Sequence, residues 1–410
     1  MLLEMIPESK AKKLKDLVPF HSNGDIPTLN EVISHAKNTK KFSVPIKKEL
    51  KRRLVPFHSK TKIPKLSCAQ LEDLPDEIIL KIFSLLDIKE ILKCGQVSQR
   101  IRAISNDESL WLQLNLGYGD IPYRFLEKAF ENGCIYLSLD CAHLNGVVNS
   151  KIPLNLKYLV LSQDSNINAR TKKTTLKVPK GLFKNCHSLQ KLAMENLILD
   201  FEDIKQIGKN GQTLTILDLG IINLEKSWRQ GKELKELFKS CVVLEELKLH
   251  IFNHHSKLFN AVANNLTPNI LKVNLSGNKK IKDEHIKILI KRCTKITELN
   301  LSYCESITNN SLKSIATHLN SSLEKLDVTH TRIDSNALLK LRSVETLKVL
   351  CFGYPYDRDL QGISWEDTKN LKKNLPQVRI NEDYFYFASP VEPGDDYFFG
   401  FWEIKAPRIQ

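Results

Sequence analysis

No stretch of the chain reaches the roughly eighteen consecutive apolar residues that a bilayer-crossing helix needs, so the sequence offers no transmembrane span. Its first residues, MLLEMIPESK, have neither the basic flank nor the sustained apolar run of a secretory signal. The nine cysteines include no CxxC pair, which argues against a zinc module and against a disulfide scaffold. A reducing, intracellular setting is the expectation. There is no GxxxxGK phosphate loop and no HExxH helix, and no cysteine and histidine stand at the spacing of a nucleophile pair. His254-His255 beside Asn253 reads as a polar turn rather than a metal site. No catalytic residue, cofactor or metal is therefore expected, and the chain does not read as an enzyme.

What is present begins with an uneven charge. The net charge of the 410 residues is +14, and residues 1–66 hold fifteen Lys or Arg against six Asp or Glu. Proline recurs through this segment, as at Pro19, Pro27 and Pro56, and no amphipathic period is sustained. Such a segment buries too little apolar surface to offset the entropy of ordering, so residues 1–66 read as a disordered basic arm. KKELKRR at 47–53 has the composition of a nuclear import signal, which suggests residence in nucleus and cytoplasm. The arm also repeats itself: LVPFHSNGDIPTL at 17–29 returns as LVPFHSKTKIPKL at 54–66, with nine of thirteen positions identical.

Residues 67–116 form a different kind of segment, with three short helical patterns. Pro75 suits a helix start, where its missing N–H is not needed, and Ile78, Ile79, Ile82, Phe83 and Leu86 follow at helical spacing. Asp87 with Glu90 has the spacing of a capping box, ahead of Ile88, Ile91 and Leu92. A third pattern carries Val97, Ile101 and Ile104, and Trp111 follows. So short a module cannot bury all of these side chains by itself, and some are expected to serve a partner.

Leu74-Pro75-Asp76-Glu77, Ile82-Phe83-Ser84, Leu92, Val97 and Asp107-Glu108-Ser109-Leu110-Trp111 resemble an F-box. The resemblance implies docking on the Skp-type adaptor of a cullin-RING ubiquitin ligase core. Leu74, Pro75, Ile78, Ile79, Ile82, Phe83, Leu86, Leu92, Val97 and Trp111 are the expected contacts. Many F-boxes have Arg-Trp in the third helix; here the pair is Arg100-Ile101.

Residues 117–376 are a repeat. The template L-x-x-L-x-L-x-x-N/C fits Leu156-Leu159-Leu161 and Leu189-Leu192-Met194, and continues through Ile270-Val273-Leu275-Asn278 and Ile296-Leu299-Leu301-Cys304 to Leu347-Leu350-Phe352. Successive starts lie 22 to 33 residues apart. This is the pattern of leucine-rich repeats, each a strand and a return that bury their apolar face only by stacking. The expected fold class is α/β: a three-helix module, then a solenoid with parallel strands on the concave side and helices on the convex side, then a C-terminal tail. Cys186, Cys241 and Cys293 recur three residues ahead of their repeats, which marks them as packing residues.

Strand alternation sends the template leucines inward and the third, fifth and seventh positions toward a ligand. On that face Lys248, His250, Asn274, Asn300 and Asp327 are candidate substrate contacts. The face is mixed in sign, without an arginine cluster for phosphate forks and without basic residues interleaved with aromatics. Nucleic acid and membrane are thus not expected partners. The tail, 377–410, carries nine aromatics, including Trp402, that would be a liability if exposed, and it is expected to pack on the repeats. The order of F-box, cysteine-type repeats and an aromatic-x-Ile-Lys tail at Trp402, Ile404 and Lys405 resembles the S-phase kinase-associated branch of F-box proteins. That resemblance implies a substrate receptor for cyclin-dependent-kinase inhibitors, with Trp402 at a site shared with a small Cks accessory protein. Ile251 stands where that branch has tryptophan. The alternatives are an F-box receptor for an unrelated protein substrate, or a repeat scaffold acting without ubiquitin.

Overall fold

In a computed structural model, the described residues are 74–117, 119–140, 142–145, 154–162, 182–224, 231–251, 257–353 and 365–381. The basic arm with its duplicated phrase, His254-His255 and the tail from 382, with Trp402, lie outside them. The chain divides between Trp111 and Leu112 into two compact units.

Among the described residues of the first unit are three α-helices, α1 (Asp76–Phe83), α2 (Ile88–Cys94) and α3 (Gln99–Ser105). Ile79 and Phe83, one turn apart on α1, are buried with Ile88, Ile91, Ile101 and Ile104. The capping box at α2 is formed: Glu90 N–H donates to Asp87 Oδ1 at 2.9 Å, and Asp87 N–H to Glu90 Oε2 at 2.8 Å. Ser98 accepts from Ile101 N–H to start α3. The module is closed by Trp111, fully buried, whose indole N–H donates to the Ser105 carbonyl at 3.0 Å.

Among the described residues the second unit is built on a parallel sheet of twelve strands. Its backbone is β1 (Gln113–Asn115), β3 (Tyr136–Asp140), β5 (Tyr158–Ser162), β6 (Lys191–Glu195), β8 (Ile216–Leu224) and β9 (Glu246–Ile251). It continues with β10 (Lys272–Asn274), β11 (Glu298–Asn300), β12 (Lys325–Thr329), β13 (Val349–Gly353) and β14 (Arg379–Ile380). A short strand β7 (Leu197–Leu199) pairs with the far end of β8, and a separate two-stranded sheet joins β2 (Gly119–Pro122) to β4 (Ala142–Asn145). The returns are helical: α4 (Tyr123–Glu131), α5 (Phe201–Gly208), α6 (Lys232–Ser240), α7 (Lys257–Asn265), α8 (Asp283–Arg292), α9 (Asn309–His318), α10 (Ser335–Leu338) and α11 (Trp365–Asn374).

The register explains why the template works. Leu159, Leu192, Leu217, Leu247, Val273, Leu299, Leu326 and Leu350 occupy one row across the sheet, each paired with the next and each essentially inaccessible to water. A buried leucine contributes roughly 2 kcal/mol through its burial, so every repeat adds to the stability of the stack. Cys186, Cys241 and Cys293 are fully buried at one repeat phase. Burial pushes the Cys186 thiol up to about 12 and those of Cys241 and Cys293 to about 11, which suits packing and not nucleophilic chemistry.

The interchange of Asn and Cys at the ninth template position also has a physical basis. The Asn278 amide, 1% exposed, donates to the carbonyls of Leu249 and Leu275, each at 2.7 Å, and so ties one repeat to the next. Cys304 does the same with its thiol, donating to the Leu275 carbonyl at 3.1 Å. Either side chain satisfies a buried carbonyl that the strand has left behind.

Candidate functional site

The sequence brings ten residues of the helical module forward as adaptor contacts, and the structure sorts them. Ile79, Phe83 and Trp111 are between 0% and 1% exposed. They build the core of the module together with Ile88, Ile91, Ile101 and Ile104. Leu74, Ile82, Leu86 and Leu92 are half-buried, and Pro75 is exposed. Two apolar side chains stand in water, Ile78 at 39% and Val97 at 46%. The apolar side chains left to a partner are therefore Ile78 and Val97, with Leu74, Ile82, Leu86 and Leu92 partly accessible. They belong to a module whose own core is already closed.

Arg100, flagged in the sequence only by its unusual neighbour, braces this surface. Its Nε and Nη2 donate to Asp76 Oδ1 at 3.0 and 2.5 Å, and Nη2 donates to the Leu74 carbonyl at 2.7 Å. Ile101, where other F-boxes carry tryptophan, is fully buried.

On the repeat unit, the sheet face opposite the leucines carries three rows. The third-position row runs Tyr136, Tyr158, Lys191, Ile216, Glu246, Lys272, Glu298, Lys325. Its charges alternate and pair, Lys272 with Glu246 at 2.9 Å and Lys325 with Glu298 at 3.1 Å, while Lys191 Nζ lies 5.5 Å from the centre of the Tyr158 ring. The row is half-buried, and like charges are kept apart across neighbouring strands.

Of the third, fifth and seventh rows expected to face a ligand, the fifth is buried. Lys248, Asn274, Asn300 and Asp327 are 3% to 5% exposed. Asn274 Oδ1 accepts from Ser276 N–H at 3.0 Å and Asn300 Oδ1 from Ser302 N–H at 2.9 Å. Asp327 Oδ1 accepts from both the N–H and the hydroxyl of Thr329, at 2.9 and 2.8 Å. These are Asx turns: each short polar side chain folds onto its own backbone two residues on, at the end of β10 for Asn274 and of β11 for Asn300, while β12 runs on past Asp327 to Thr329. Lys248 Nζ donates to Asp218 Oδ2 at 3.2 Å. Alternation places all four on the predicted face, but their hydrogen-bonding edges are engaged within the sheet itself.

His250, in the seventh row, is half-buried, and its ring lies over Gly277. A Cβ on Gly277, whose φ is +75°, would stand 2.8 Å from the ring carbon Cε1. Burial, then the neighbouring Lys248 charge, pulls the His250 imidazole down to about 4. In the same row Glu195 leans over Gly220, where a Cβ would come within 3.1 Å of its Cγ. Glu195 is 2% exposed and Oε2 has no hydrogen-bond partner. Burial raises its carboxyl to about 7, with Lys248 opposing the rise and Asp218 and Asp140 adding to it.

Two residues that the sequence pattern did not single out stand just past the C-terminal ends of β11 and β12. Tyr303 and His330 stack with ring centres 4.2 Å apart and planes 13° from parallel. Both have left-handed backbone, with φ of 58° and 52°, uncommon for bulky residues and associated with functional or tightly determined positions. The available signal was the repeat phase: the same eighth position holds Asn196 and Gly277, residue types that adopt positive φ readily. Trp402 lies outside the described residues. Among the described residues no cluster of histidine, cysteine or carboxylate is suited to a metal ion, and no helix is long and apolar enough to cross a membrane.

Comparison with known proteins follows the same division of the chain. Residues 71–116 match the F-box-like family, and residues 125–406 match the family described as the SKP2 LRR domain. A solved structure described as the crystal structure of the Rad7 and Elc1 complex in yeast is similar at 13% identity, covering 87% of this chain and 93% of that one, with a TM-score of 0.42. Because the repeat match spans more than half of its residues, this chain belongs to the F-box and leucine-rich-repeat family that the SKP2 LRR domain defines.

Proposed function

We propose that this protein is the substrate-recognition subunit of a Skp–cullin–F-box ubiquitin ligase. The F-box holds a Skp-type adaptor, and through it the cullin-RING core, by Leu74, Pro75, Ile78, Ile82, Leu86, Leu92 and Val97. The observation that carries this reading is the exposure of Ile78 and Val97 on a module that has already buried its aromatic core. Ubiquitin transfer belongs to partner subunits, and this chain contributes proximity and orientation.

The repeats and the aromatic tail take the protein substrate. The substrate class that the family resemblance supports is a cell-cycle regulator such as a cyclin-dependent-kinase inhibitor, received with a Cks-type accessory protein at Trp402, in the nucleus and the cytoplasm. A second reading, an unrelated substrate, draws on two features. Ile251 replaces the family tryptophan, and the fifth-position row is closed by its own hydrogen bonds. On either reading the third-position row and the Tyr303–His330 pair are the polar and aromatic groups best placed for contact.

Proximity labelling in cells with the intact chain and with a chain lacking residues 67–116 tests the proposal. The expected result is loss of adaptor and cullin from the labelled set, with substrate retained. Labelling of adaptor and cullin unchanged by the deletion would overturn it.

A further inference from the structure

Ile78 and Val97 belong to different segments, the first turn of α1 and the turn between α2 and α3. A partner that uses both must find them at a fixed separation. Each segment has local backbone bonds, Ile78 N–H to the Pro75 carbonyl and Val97 N–H to the Cys94 carbonyl, and side chains of α3 add a grip on both. The residue before α1 is Pro75, and no side chain caps the helix. The Pro75 carbonyl accepts from the N–H groups of Ile78 and Ile79, and the Leu74 carbonyl, one residue earlier, accepts from Arg100.

The α2–α3 turn is held in a similar way. Arg102 Nε donates to the Gly95 carbonyl at 3.1 Å, two residues ahead of Val97. Gly95 itself packs onto the last turn of α3, since a Cβ there would stand 2.6 Å from Ser105 Oγ. Residues two apart on a helix diverge by about 200°, so Arg100 and Arg102 leave α3 on opposite flanks. One grips the base of the Ile78 segment and the other the base of the Val97 segment.

We infer that Arg100 and Arg102 are positioning residues for adaptor binding, with α3 as a two-sided brace that sets the spacing of Ile78 and Val97 before the partner arrives. The inference rests on the adaptor reading above. Its physical content is preorganisation: a segment already fixed loses less freedom on binding. The fork matters as well as the charge, because Arg100 engages one carboxylate oxygen and one carbonyl together, which a lysine ammonium does not reproduce.

The exposure of the ion pair separates this role from simple stabilisation. The Arg100 and Asp76 side chains are 43% and 58% exposed, and an exposed pair adds little to folding stability. Loss of the brace should therefore appear in binding and leave thermal unfolding almost unmoved.

The experiment uses the full chain and a purified Skp-type adaptor, with dissociation followed kinetically and thermal unfolding measured on the same samples. Arg100→Ala is expected to speed dissociation about tenfold, the size expected for losing charge-assisted hydrogen bonds. Arg102→Ala should act in the same direction and less strongly, and Arg100→Lys should not rescue. In an Ile78→Ala background, Arg100→Ala should add little, because the side chain it positions is gone. Dissociation within twofold of wild type for Arg100→Ala would overturn the brace, as would full additivity with Ile78→Ala. If Arg100→Ala proves unstable, Arg100→Lys at unchanged thermal midpoint decides by the same criterion. A folded wild-type chain that fails to bind the adaptor would overturn the functional reading itself, and the brace with it.

Discussion

Replacing Glu195 with glutamine should stabilise the repeat unit at alkaline pH and change it little in acid. Glu195 is 2% exposed, and its carboxyl is raised from an ordinary 4.5 to about 7, first by burial and then by the nearby Asp218 and Asp140 charges, with Lys248 pulling the other way. A difference of that size corresponds to roughly 3 kcal/mol by which the fold disfavours the charged form. The sign follows from proton binding. Between 4.5 and about 7 the folded chain holds a proton that the unfolded chain has released, so this group's contribution falls as pH rises and is lost fully above about 7. Glutamine stays neutral throughout and keeps the shape of the side chain over Gly220. Urea unfolding of both proteins at intervals from pH 4.5 to 8 should give curves that coincide at the acid end. They should diverge to roughly 3 kcal/mol in favour of Glu195→Gln at pH 8. A pH-independent difference, or a variant less stable than wild type at pH 8, would refute the reasoning.

Two further outcomes follow from the same face. Lys248 is the cation paired with the buried Asp218, so Lys248→Met should cost on the order of 3 kcal/mol at pH 8. The cost should shrink toward pH 5 as the Glu195 carboxyl, raised to about 7, takes up its proton, which urea titration at the two pH values would show. Asn278→Ala leaves the Leu249 carbonyl without its donor and the Leu275 carbonyl with the Cys304 thiol alone, and should destabilise by about 2 kcal/mol. Asn278→Cys, which copies position nine of the next repeat, should recover part of that loss in the same assay.

The repeat core was legible because its signal is redundant. One leucine pattern recurs in every unit, and any single departure, such as Met194 or Val273, is outvoted by its neighbours. The Asp87–Glu90 box was legible because capping depends on spacing alone. The candidate sites were less so, for a reason that alternation cannot supply. Period two states which face Lys248, Asn274, Asn300 and Asp327 occupy, and they occupy it; it is silent on whether the side chain folds back onto its own strand. Short polar residues at a strand end do so readily, which is how the Asx turns arise. The Tyr303–His330 stack was hidden because a positive φ in a bulky residue leaves no mark in composition. In the F-box, helical spacing gathered Ile78, Ile79, Ile82 and Phe83 into one stripe. Only packing separates the half that fills the core from the half left for a partner.

The most direct test of the account is the affinity of the purified full-length chain for a Skp-type adaptor, set beside that of the Ile78→Glu/Val97→Glu double variant. Both positions are exposed, so the variant should fold with an unchanged thermal midpoint. Charging two apolar anchors should cost about 2 kcal/mol or more each, enough to abolish measurable binding while the wild type binds tightly. Equal affinity for the two proteins, or no binding by a folded wild-type chain, would contradict the claim that this surface makes the protein a ligase subunit.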